Sequence, residues 1–461
     1  MSSGPRLDGG LPDGPLVAFY GDDFTGSSAV MEVMTFAGLP TVMFLEAPGE
    51  TQLARFADHR VIGIASTARA ETPQWMDETL PGAFAALKSL NAPINHYKIC
   101  STFDSSPEIG SIGRAIDLGA SVFSPRFVPL VTGAPAIRRY QAFGHLFAAH
   151  AGQNYRLDRH PSMSRHPATP MDEADLARHL SRQTDREIGL VDLAALKTGE
   201  GRNALEAELN RGCEIVSFDV LDEETLAGVG ALIWQERETG PIFAAGSQGL
   251  EYALIAHWRR AGILAADPPR PTIAPVDRIA VVSGSVSPTT AGQIEHAATN
   301  GFELIAADLG ALETDTTWQA EVERLAQLGL AVLAKGKSPL IASARGPDDP
   351  AVARLEAMVE GSPKAKGAAQ RRLSKGLGQV LKRLLDEAGI GRAVICGGDT
   401  SSFAAKELGI EALSALAPAA PGAPLCKAYG SHSASGDFEI ALKGGQMGAA
   451  DYLTKIRDGT S

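Results

Sequence analysis

The chain has few cysteines, no long apolar run and no excess of basic residues, and each absence excludes a class of protein. Four widely spaced cysteines without a CxxC pair argue against a disulfide framework or a zinc site, and they favour a reducing compartment. No apolar run approaches the roughly 20 residues of a transmembrane helix. The formal net charge of -12 lacks the basic surface that nucleic-acid binding requires. We therefore expect a soluble cytoplasmic protein that binds neither membranes nor nucleic acid.

Strand-like and helix-like segments alternate along the chain. Residues 16–20, 61–65 and 94–98 read as short buried strands, and residues 73–90 read as a helix between two of them. Such alternation predicts an α/β fold in which helices flank a mostly parallel sheet. A length of 461 residues favours two such domains over one.

The prolines of residues 266–275 cannot continue a helix or an inner strand, and they mark a linker. We predict a disordered tail at 1–14, a first domain at 15–266, a linker at 267–277 and a second domain at 278–461. The tail lacks the charged and apolar regions of a signal peptide. The histidine-rich stretch 145–179 is predicted to be a loop ahead of a helix at 172–183, and residues 331–334 are predicted to be a strand.

Three predicted strands of the second domain end in loops of small residues. Glycine lets backbone N–H groups approach an anion, and the helix that follows each loop adds a partial positive charge. At the carboxyl ends of parallel strands such loops converge on a ligand, which favours a polyphosphate and most of all ATP. For any one loop, ordinary turn glycines are the alternative. The candidate nucleotide ligands are Gly284, Ser285, Ser287, Gly397, Gly398, Asp399, Thr400, Gly444, Gly445 and Gly448.

Two standard nucleotide motifs are absent from the sequence. Residues 336–338 have the end of a P-loop without its earlier glycine, and no GxGxxG follows a strand. Asp399 is the acid that we select in this domain. An acid among phosphate-binding amides is costly unless it meets a metal or a proton, so Asp399 is a candidate Mg²⁺ ligand or catalytic base. The alternative is a helix N-cap.

The first domain opens with two adjacent aspartates, Asp22 and Asp23, at the end of a predicted strand. Paired carboxylates accept hydrogen bonds from the hydroxyls of a polyol, and they could also bind Mg²⁺ or remove a hydroxyl proton. We therefore take both as substrate ligands and Asp23 as a catalytic candidate. In the alternative interpretation Asp23 caps the next helix and Asp22 is solvated.

Two further groups of polar residues are substrate-binding candidates. Lys98, Ser101 and Thr102 follow a predicted strand and could hold a carboxylate or hydroxyls. Arg165 and His166 lie in the histidine-rich stretch and could form an anion site. Surface histidines are equally often solvated without a ligand.

Taken in order, these motifs make the chain resemble the four-carbon acid sugar kinase family. Residues 21–26 look like its DDxTG signature, and residues 98–102 look like its Lys-x-Asp-Ser-Thr segment. Residues 166–170, 246–250, 284–285, 397–401 and 443–448 also follow its pattern. The resemblance implies an N-terminal sugar-acid domain, a C-terminal ATP domain and an active-site cleft between them.

The chain departs from the family pattern within residues 100–105, and two of the changes alter the chemistry. Cys100 stands where the family commonly has aspartate, and Asp104 stands where it has an arginine suited to a carboxylate. Because arginine and aspartate prefer opposite partners, the head group of the substrate or its orientation is expected to differ. Some members of the family act on 3-oxo-isoapionate, and the departure brings that branched acid into consideration.

The sequence therefore predicts an ATP- and Mg²⁺-dependent kinase that phosphorylates a hydroxyl of a small sugar acid, with Asp23 and Asp399 as catalytic residues. Two alternatives stay open at this point: an NAD(P)-dependent oxidoreductase on similar acids, and a non-catalytic sugar-acid binding protein. A homodimer is compatible with the sequence, as is a monomer.

Overall fold

A computed structural model describes residues 10–166, 168–265, 268–359, 363–430 and 437–459, apart from the side chains of residues 363, 364 and 399. The chain divides into two compact units, Met1–Pro268 and Pro269–Ser461. Each unit has a mostly parallel sheet flanked by helices, which is the predicted fold class. Residues 1–9 of the predicted tail and residues 266–267 at the predicted linker boundary lie outside the described residues.

The first unit has a parallel eight-stranded sheet in the order β2-β3-β1-β4-β11-β5-β10-β9, and a separate antiparallel sheet of β6, β7 and β8. Its strands are β1 Val17–Gly21, β2 Thr41–Phe44, β3 Val61–Ala65, β4 Ile94–Lys98, β5 Val128–Val131, β6 Arg139–Ala142, β7 His145–His150, β8 Gln153–Arg156, β9 Ile188–Val191, β10 Ile215–Phe218 and β11 Ile242–Gly246.

Aromatic packing fixes helices to this sheet. Phe84 lies edge-on to Tyr20, Tyr97 and Phe243, at centroid distances of 6.0, 5.8 and 5.3 Å, and so ties one helix to three neighbouring strands. The helices are α1 Phe24–Phe36, α2 Glu50–Ala54, α3 Pro73–Ser89, α4 Ile112–Phe123, α5 Leu176–Leu180, α6 Leu193–Thr198, α7 Gly201–Asn210, α8 Glu223–Glu236 and α9 Gly249–Arg260.

The prediction that residues 145–179 form a loop is wrong. Strands β7 and β8 and helix α5 lie within that stretch, and the helix predicted at 172–183 covers only Leu176–Leu180. Leu146 and Ala148 are buried between more exposed neighbours, which is the alternation of a strand with one covered face. Gly152, at a φ of 84°, makes the turn between β7 and β8.

The second unit has a seven-stranded sheet in the order β13-β14-β12-β15-β18-β17-β16, in which the first five strands are parallel and the last two pairings are antiparallel. Val281, Ile294 and Val394 belong to its core. The strands are β12 Ala280–Ser283, β13 Phe302–Ala306, β14 Ser338–Ala342, β15 Arg392–Cys396, β16 Ile410–Ala420, β17 Ala423–Gly430 and β18 Phe438–Lys443.

The helices of the second unit correct one prediction. Residues 331–334 are the end of a helix and not a strand, because a short apolar run does not distinguish a buried strand from the buried face of a helix. Gly336 follows at a φ of 76° and the strand begins at Ser338. The helices are α10 Pro288–Ala298, α11 Asp315–Ala334, α12 Pro350–Met358, α13 Pro363–Ala388, α14 Gly398–Glu407 and α15 Tyr452–Asp458.

None of the helices that the described residues form is long and apolar enough to cross a membrane.

Candidate active site

The acidic loop of the first unit joins the end of β1 to the start of α1. Asp23 caps the helix, because its Oδ1 accepts a hydrogen bond from the Gly26 N–H at 2.9 Å. Asp22 lies beneath it with a side chain only 3% exposed. A Cβ at Gly21 would lie 1.8 Å from Ser27 Oγ, so the strand can end this way only with glycine. Asp23 therefore forms the helix cap of the alternative interpretation, whereas Asp22 is buried and not solvated as that interpretation required.

Arg69 binds both aspartates, and the sequence analysis missed it. Its Nε donates to Asp22 Oδ2 at 3.0 Å, and its Nη2 lies 2.6 Å from Asp22 Oδ1 and 2.7 Å from Asp23 Oδ1. Arg69 lies in a short 3₁₀ turn after β3, the strand beside β1. The loops after two adjacent parallel strands open at the same edge of the sheet, and that signal could have identified it.

The charged side chains of this group shift one another's pKa values. Burial raises the pKa of Asp22, and the attraction of Arg69 partly offsets the rise. Although burial disfavours its charge, Arg69 has a pKa well above the ordinary value because Asp22 and Asp23 face it. Both oxygens of Asp22 are engaged by Arg69, whereas Asp23 is 26% exposed. Of the two acids, Asp23 is therefore the one that a ligand can reach.

Lys98, the last residue of β4, joins the same group, whereas the sequence placed it in a separate cluster with Ser101 and Thr102. It is 1% exposed, and its Nζ donates to the Ile99 carbonyl at 2.8 Å. A Cβ built on Gly26 would lie 2.7 Å from this Nζ, which places the amine at the N-terminus of α1. Lys98 attracts the carboxylate of Asp22, so two cations and two carboxylates share one site.

The segment after β4 forms a chain of hydrogen bonds. Thr102 Oγ1 donates to Asp104 Oδ1 at 2.8 Å, and Cys100 Sγ lies 3.0 Å from the same hydroxyl. Burial, with help from Asp104, raises the pKa of Cys100 to about 11, so the thiol stays protonated. Ser101 is half-buried next to them. The hydroxyl of Thr102 thus positions Asp104, which stands where the family pattern has an arginine.

A second arginine outside the predicted set, Arg139, faces this segment. Its Nη1 donates to the carbonyls of Ile137 and Arg138 at 3.2 and 3.3 Å. Burial lowers the pKa of Arg139, and Cys100 and Asp104 act against that shift. Arg139 begins β6, shortly after the carboxyl end of β5, where ligand-binding groups of a parallel sheet collect.

Arg165 and His166 lie apart from this group. Arg165 is exposed at the end of a 3₁₀ turn, and His166 Nδ1 accepts a hydrogen bond from the Thr169 N–H at 3.1 Å. Within the described part of the chain, no hydrogen bond or ion pair links either residue to Asp22, Asp23 or Arg69. Their predicted role in substrate binding stays a prediction.

In the second unit the structure brings the three glycine loops together: 284–287 after β12, 397–400 after β15 and 444–448 after β18. These strands are neighbours in the sheet. A Cβ on Gly284 would lie 2.1 Å from Thr400 Oγ1, and one on Gly445 would lie 2.7 Å from Ser285 Oγ. A larger residue at either position would therefore displace a hydroxyl group of the neighbouring loop.

Hydroxyl groups without partners lie in and beside these loops. Ser283 Oγ and Ser401 Oγ are buried and make no hydrogen bond in the structure. Buried hydroxyls are normally satisfied, so two orphans beside glycine-rich loops and two helix N-termini fit a site for an anion with several oxygens. Gly397, at a φ of 118°, and Gly398 lead into α14.

Asp399 lies in α14 by its backbone, and its side chain is outside the described part of the structure. Its predicted roles as metal ligand and catalytic residue therefore stay predictions. The described residues contain no group of three or more His, Cys, Asp or Glu side chains that could hold a metal ion.

Two family models match the chain, one in each unit. The family model described as a sugar-binding N-terminal domain matches residues 17–254, and that of a nucleotide-binding C-terminal domain matches residues 280–453. In solved structures the fold is similar to that of Haemophilus influenzae protein HI1011. The TM-score is 0.73 at 24% identity, over 95% of this chain and 99% of that one.

Two curated relatives match almost end to end. The 3-oxo-isoapionate kinase of Paraburkholderia graminis is 48% identical over 97% of this chain and 95% of its own. The 3-oxo-tetronate kinase of Cupriavidus necator is 29% identical over 96% of this chain and 97% of its own. The chain therefore belongs to the four-carbon acid sugar kinase family.

Proposed function

We propose that the protein is an ATP-dependent kinase that phosphorylates a hydroxyl of a branched 3-oxo sugar acid of the 3-oxo-isoapionate type. The observation that carries this proposal is the division of chemistry between the units. The first unit gathers carboxylates and cations that suit a hydroxy acid, and the second gathers glycine loops that suit phosphates. The choice of acid is supported by the 48% identity to a 3-oxo-isoapionate kinase.

In the first unit, Asp23 is the group that we assign to the acceptor hydroxyl. Its exposed carboxylate can accept a hydrogen bond from that hydroxyl, orient it and take its proton as phosphoryl transfer proceeds. Asp22 holds Arg69 by a two-point ion pair and thereby fixes the charge beside Asp23.

The cations of the first unit are assigned to the acid end of the substrate. Arg139 makes hydrogen bonds only to backbone carbonyls among the described residues, so its guanidinium retains donors for a carboxylate. Asp104, close to Arg139 and positioned by Thr102, would accept a hydroxyl of the same acid. Arg139 and Asp104 would thus provide a positive and a negative charge close to position 104, where this chain has aspartate and the family pattern has arginine.

In the second unit, the three glycine loops and the hydroxyls of Ser283 and Ser401 would hold the triphosphate of ATP. Mg²⁺ bound with the nucleotide neutralises charge on the transferring phosphoryl group. Asp399 is the residue that we assign to the metal. Most of the catalysis then comes from positioning and charge neutralisation, because phosphoryl transfer demands little covalent chemistry from the protein.

A coupled assay of ADP release tests the proposal with a panel of 3-oxo-isoapionate, 3-oxo-tetronates and unoxidised tetronates. We expect acid-stimulated ADP release, with the highest kcat/KM for 3-oxo-isoapionate. If a tetronate is preferred, the kinase assignment stands and the branched acid is wrong. If no acid stimulates ADP release, the kinase assignment itself fails.

A further inference from the structure

A buried lysine lies under the third glycine loop of the second unit. Lys443 is the last residue of β18 and is 1% exposed. Its Nζ donates to Thr290 Oγ1 at 3.1 Å and to the Gly444 carbonyl at 3.2 Å. Neither partner carries a negative charge.

The ionised form of this amine has no counter-ion among the side chains that the structure describes. The titratable group that faces it is Cys396, its register partner on β15, and Thr290 faces it from α10. Burial lowers the pKa of Lys443, and Cys396 opposes the shift only in part. A buried lysine without an anion is costly, so a protein gains little stability by keeping one there.

The hydrogen bonds around Lys443 also orient the loop above it. The Gly444 carbonyl is turned toward Lys443 Nζ, and the Gly445 carbonyl accepts from Ser287 Oγ and, at 3.0 Å, from Thr290 Oγ1. In a trans peptide the C=O and the following N–H point in opposite directions. The N–H group of Gly445 therefore points away from the buried amine, and that of Gln446 points away from Ser287 and Thr290, as amides that receive an anion must.

We propose that Lys443 is a positioning residue for the nucleotide: it turns the loop amides outward and supplies the buried positive charge that the phosphates compensate. This inference rests on the proposed function, because it takes the anion to be the phosphates of ATP or ADP. Lys443 acts with Thr290 from beneath the loop, and no contact between its Nζ and the nucleotide is required.

Calorimetric titration with Mg-ADP separates this role from simple packing. We expect Lys443→Met to weaken Mg-ADP binding by about 30-fold or more, as expected when one partner of a buried charge pair is removed. Lys337→Met is the matched control, since Lys337 is 54% exposed and pairs with Glu303 at 3.3 Å. That control should bind Mg-ADP within about twofold of the wild type, as a surface ion pair contributes little.

A second measurement uses the wild-type protein alone, and so does not depend on how the variant folds. Phosphates that approach Lys443 raise its lowered pKa, so binding should take up protons in the alkaline range below the ordinary lysine value of about 10.4. At such pH the phosphates are themselves fully ionised. Titrations in two buffers of different ionisation enthalpy measure this uptake. Affinity should be highest below the pKa of free Lys443 and should fall as the pH rises above it.

The outcomes distinguish this inference from the proposed function. If the wild type binds Mg-ADP without alkaline proton uptake, or if Lys443→Met binds as tightly as the wild type, the inference is wrong and the kinase assignment stands. If the wild type does not bind Mg-ADP at all, both are wrong. Proton uptake that Lys443→Met abolishes, together with weaker binding, supports the role of Lys443.

Discussion

Each unit has a buried lysine at the end of a sheet strand, and the two lysines differ in the charges of the groups around them. Lys98 ends β4 and Lys443 ends β18; both are 1% exposed, and each donates to the carbonyl of the next residue. Lys98 shares its site with Asp22, which it attracts. Lys443 faces a threonine hydroxyl and a thiol.

The difference shows where each unit obtains its charge balance. In the first unit, the carboxylates and cations compensate one another before any substrate arrives, which suits a ligand with both hydroxyls and a carboxylate. In the second unit, the described residues leave the lysine uncompensated, which suits a ligand that brings several negative charges. A buried charge is tolerated only when it is paired, so the two sites should respond to mutation in opposite ways.

The largest effect is expected from Arg69→Ala. This change leaves the carboxylate of Asp22 buried with Lys98 as its remaining cationic neighbour, and should lower the free energy of unfolding by about 3 to 5 kcal/mol. Urea denaturation measures the loss. Arg178→Ala is the control, because Arg178 is 77% exposed and its ion pair with Asp175 is long at 3.7 Å. Equal stability of the two variants would show that the first site does not depend on internal charge balance.

The second effect concerns turnover. Asp23→Asn should reduce kcat by about 100-fold or more, because the amide orients the acceptor hydroxyl without being able to take its proton. The binding of Mg-ADP should be unchanged, since Asp23 belongs to the first unit. A coupled kinase assay and a nucleotide titration of the same variant give the two numbers. Full turnover in Asp23→Asn would remove this residue from the chemistry while leaving the kinase assignment intact.

A smaller effect distinguishes the two lysines directly. Lys98→Met removes a cation that attracts the buried carboxylate of Asp22. The change should lower the free energy of unfolding by about 1 to 3 kcal/mol. Lys443→Met replaces an uncompensated amine with an apolar chain of similar length, and should cost less than about 1 kcal/mol or stabilise the protein. Thermal unfolding without nucleotide measures both. A Lys443→Met variant that loses more stability than Lys98→Met would contradict the contrast between the sites.

The smallest effect concerns the thiols beside the two sites. Burial raises the pKa of Cys100 to about 11 and also raises that of Cys396. Because the thiolate is the reactive form, neither cysteine should be alkylated by iodoacetamide near pH 8, and the reactivity of Cys100 should increase as the pH rises toward about 11. Peptide mass spectrometry after timed alkylation measures this. Rapid labelling of Cys100 at pH 7 would mean that Arg69 outweighs burial.

The sequence predicted correctly those strands that a local pattern, a short apolar run between polar breaks, is enough to identify. Strands β3 and β4 have the predicted bounds, because each is a short buried run between polar breaks. The long strands β16 and β17 were missed, since alanine-rich runs such as residues 410–420 have little β-propensity and owe their structure to pairing with each other.

The candidate site also contains residues that the local sequence identifies and residues that it does not. Asp22, Asp23 and Lys98 were selected as candidates because each directly follows or ends an apolar strand. Arg69 and Lys443 were not selected, since their importance depends on the charges around them after folding. Arg69 matters through two aspartates that lie more than 40 residues away along the chain.

The central claim, that the first unit holds the acid and the second the nucleotide, is tested most directly by one calorimetric series. Wild type, Lys98→Met and Lys443→Met would each be titrated with 3-oxo-isoapionate and with Mg-ADP. We expect Lys98→Met to weaken only the binding of the acid and Lys443→Met to weaken only the binding of Mg-ADP. Weaker binding of Mg-ADP in Lys98→Met, with normal binding in Lys443→Met, would show that the ligands are not divided between the units in this way.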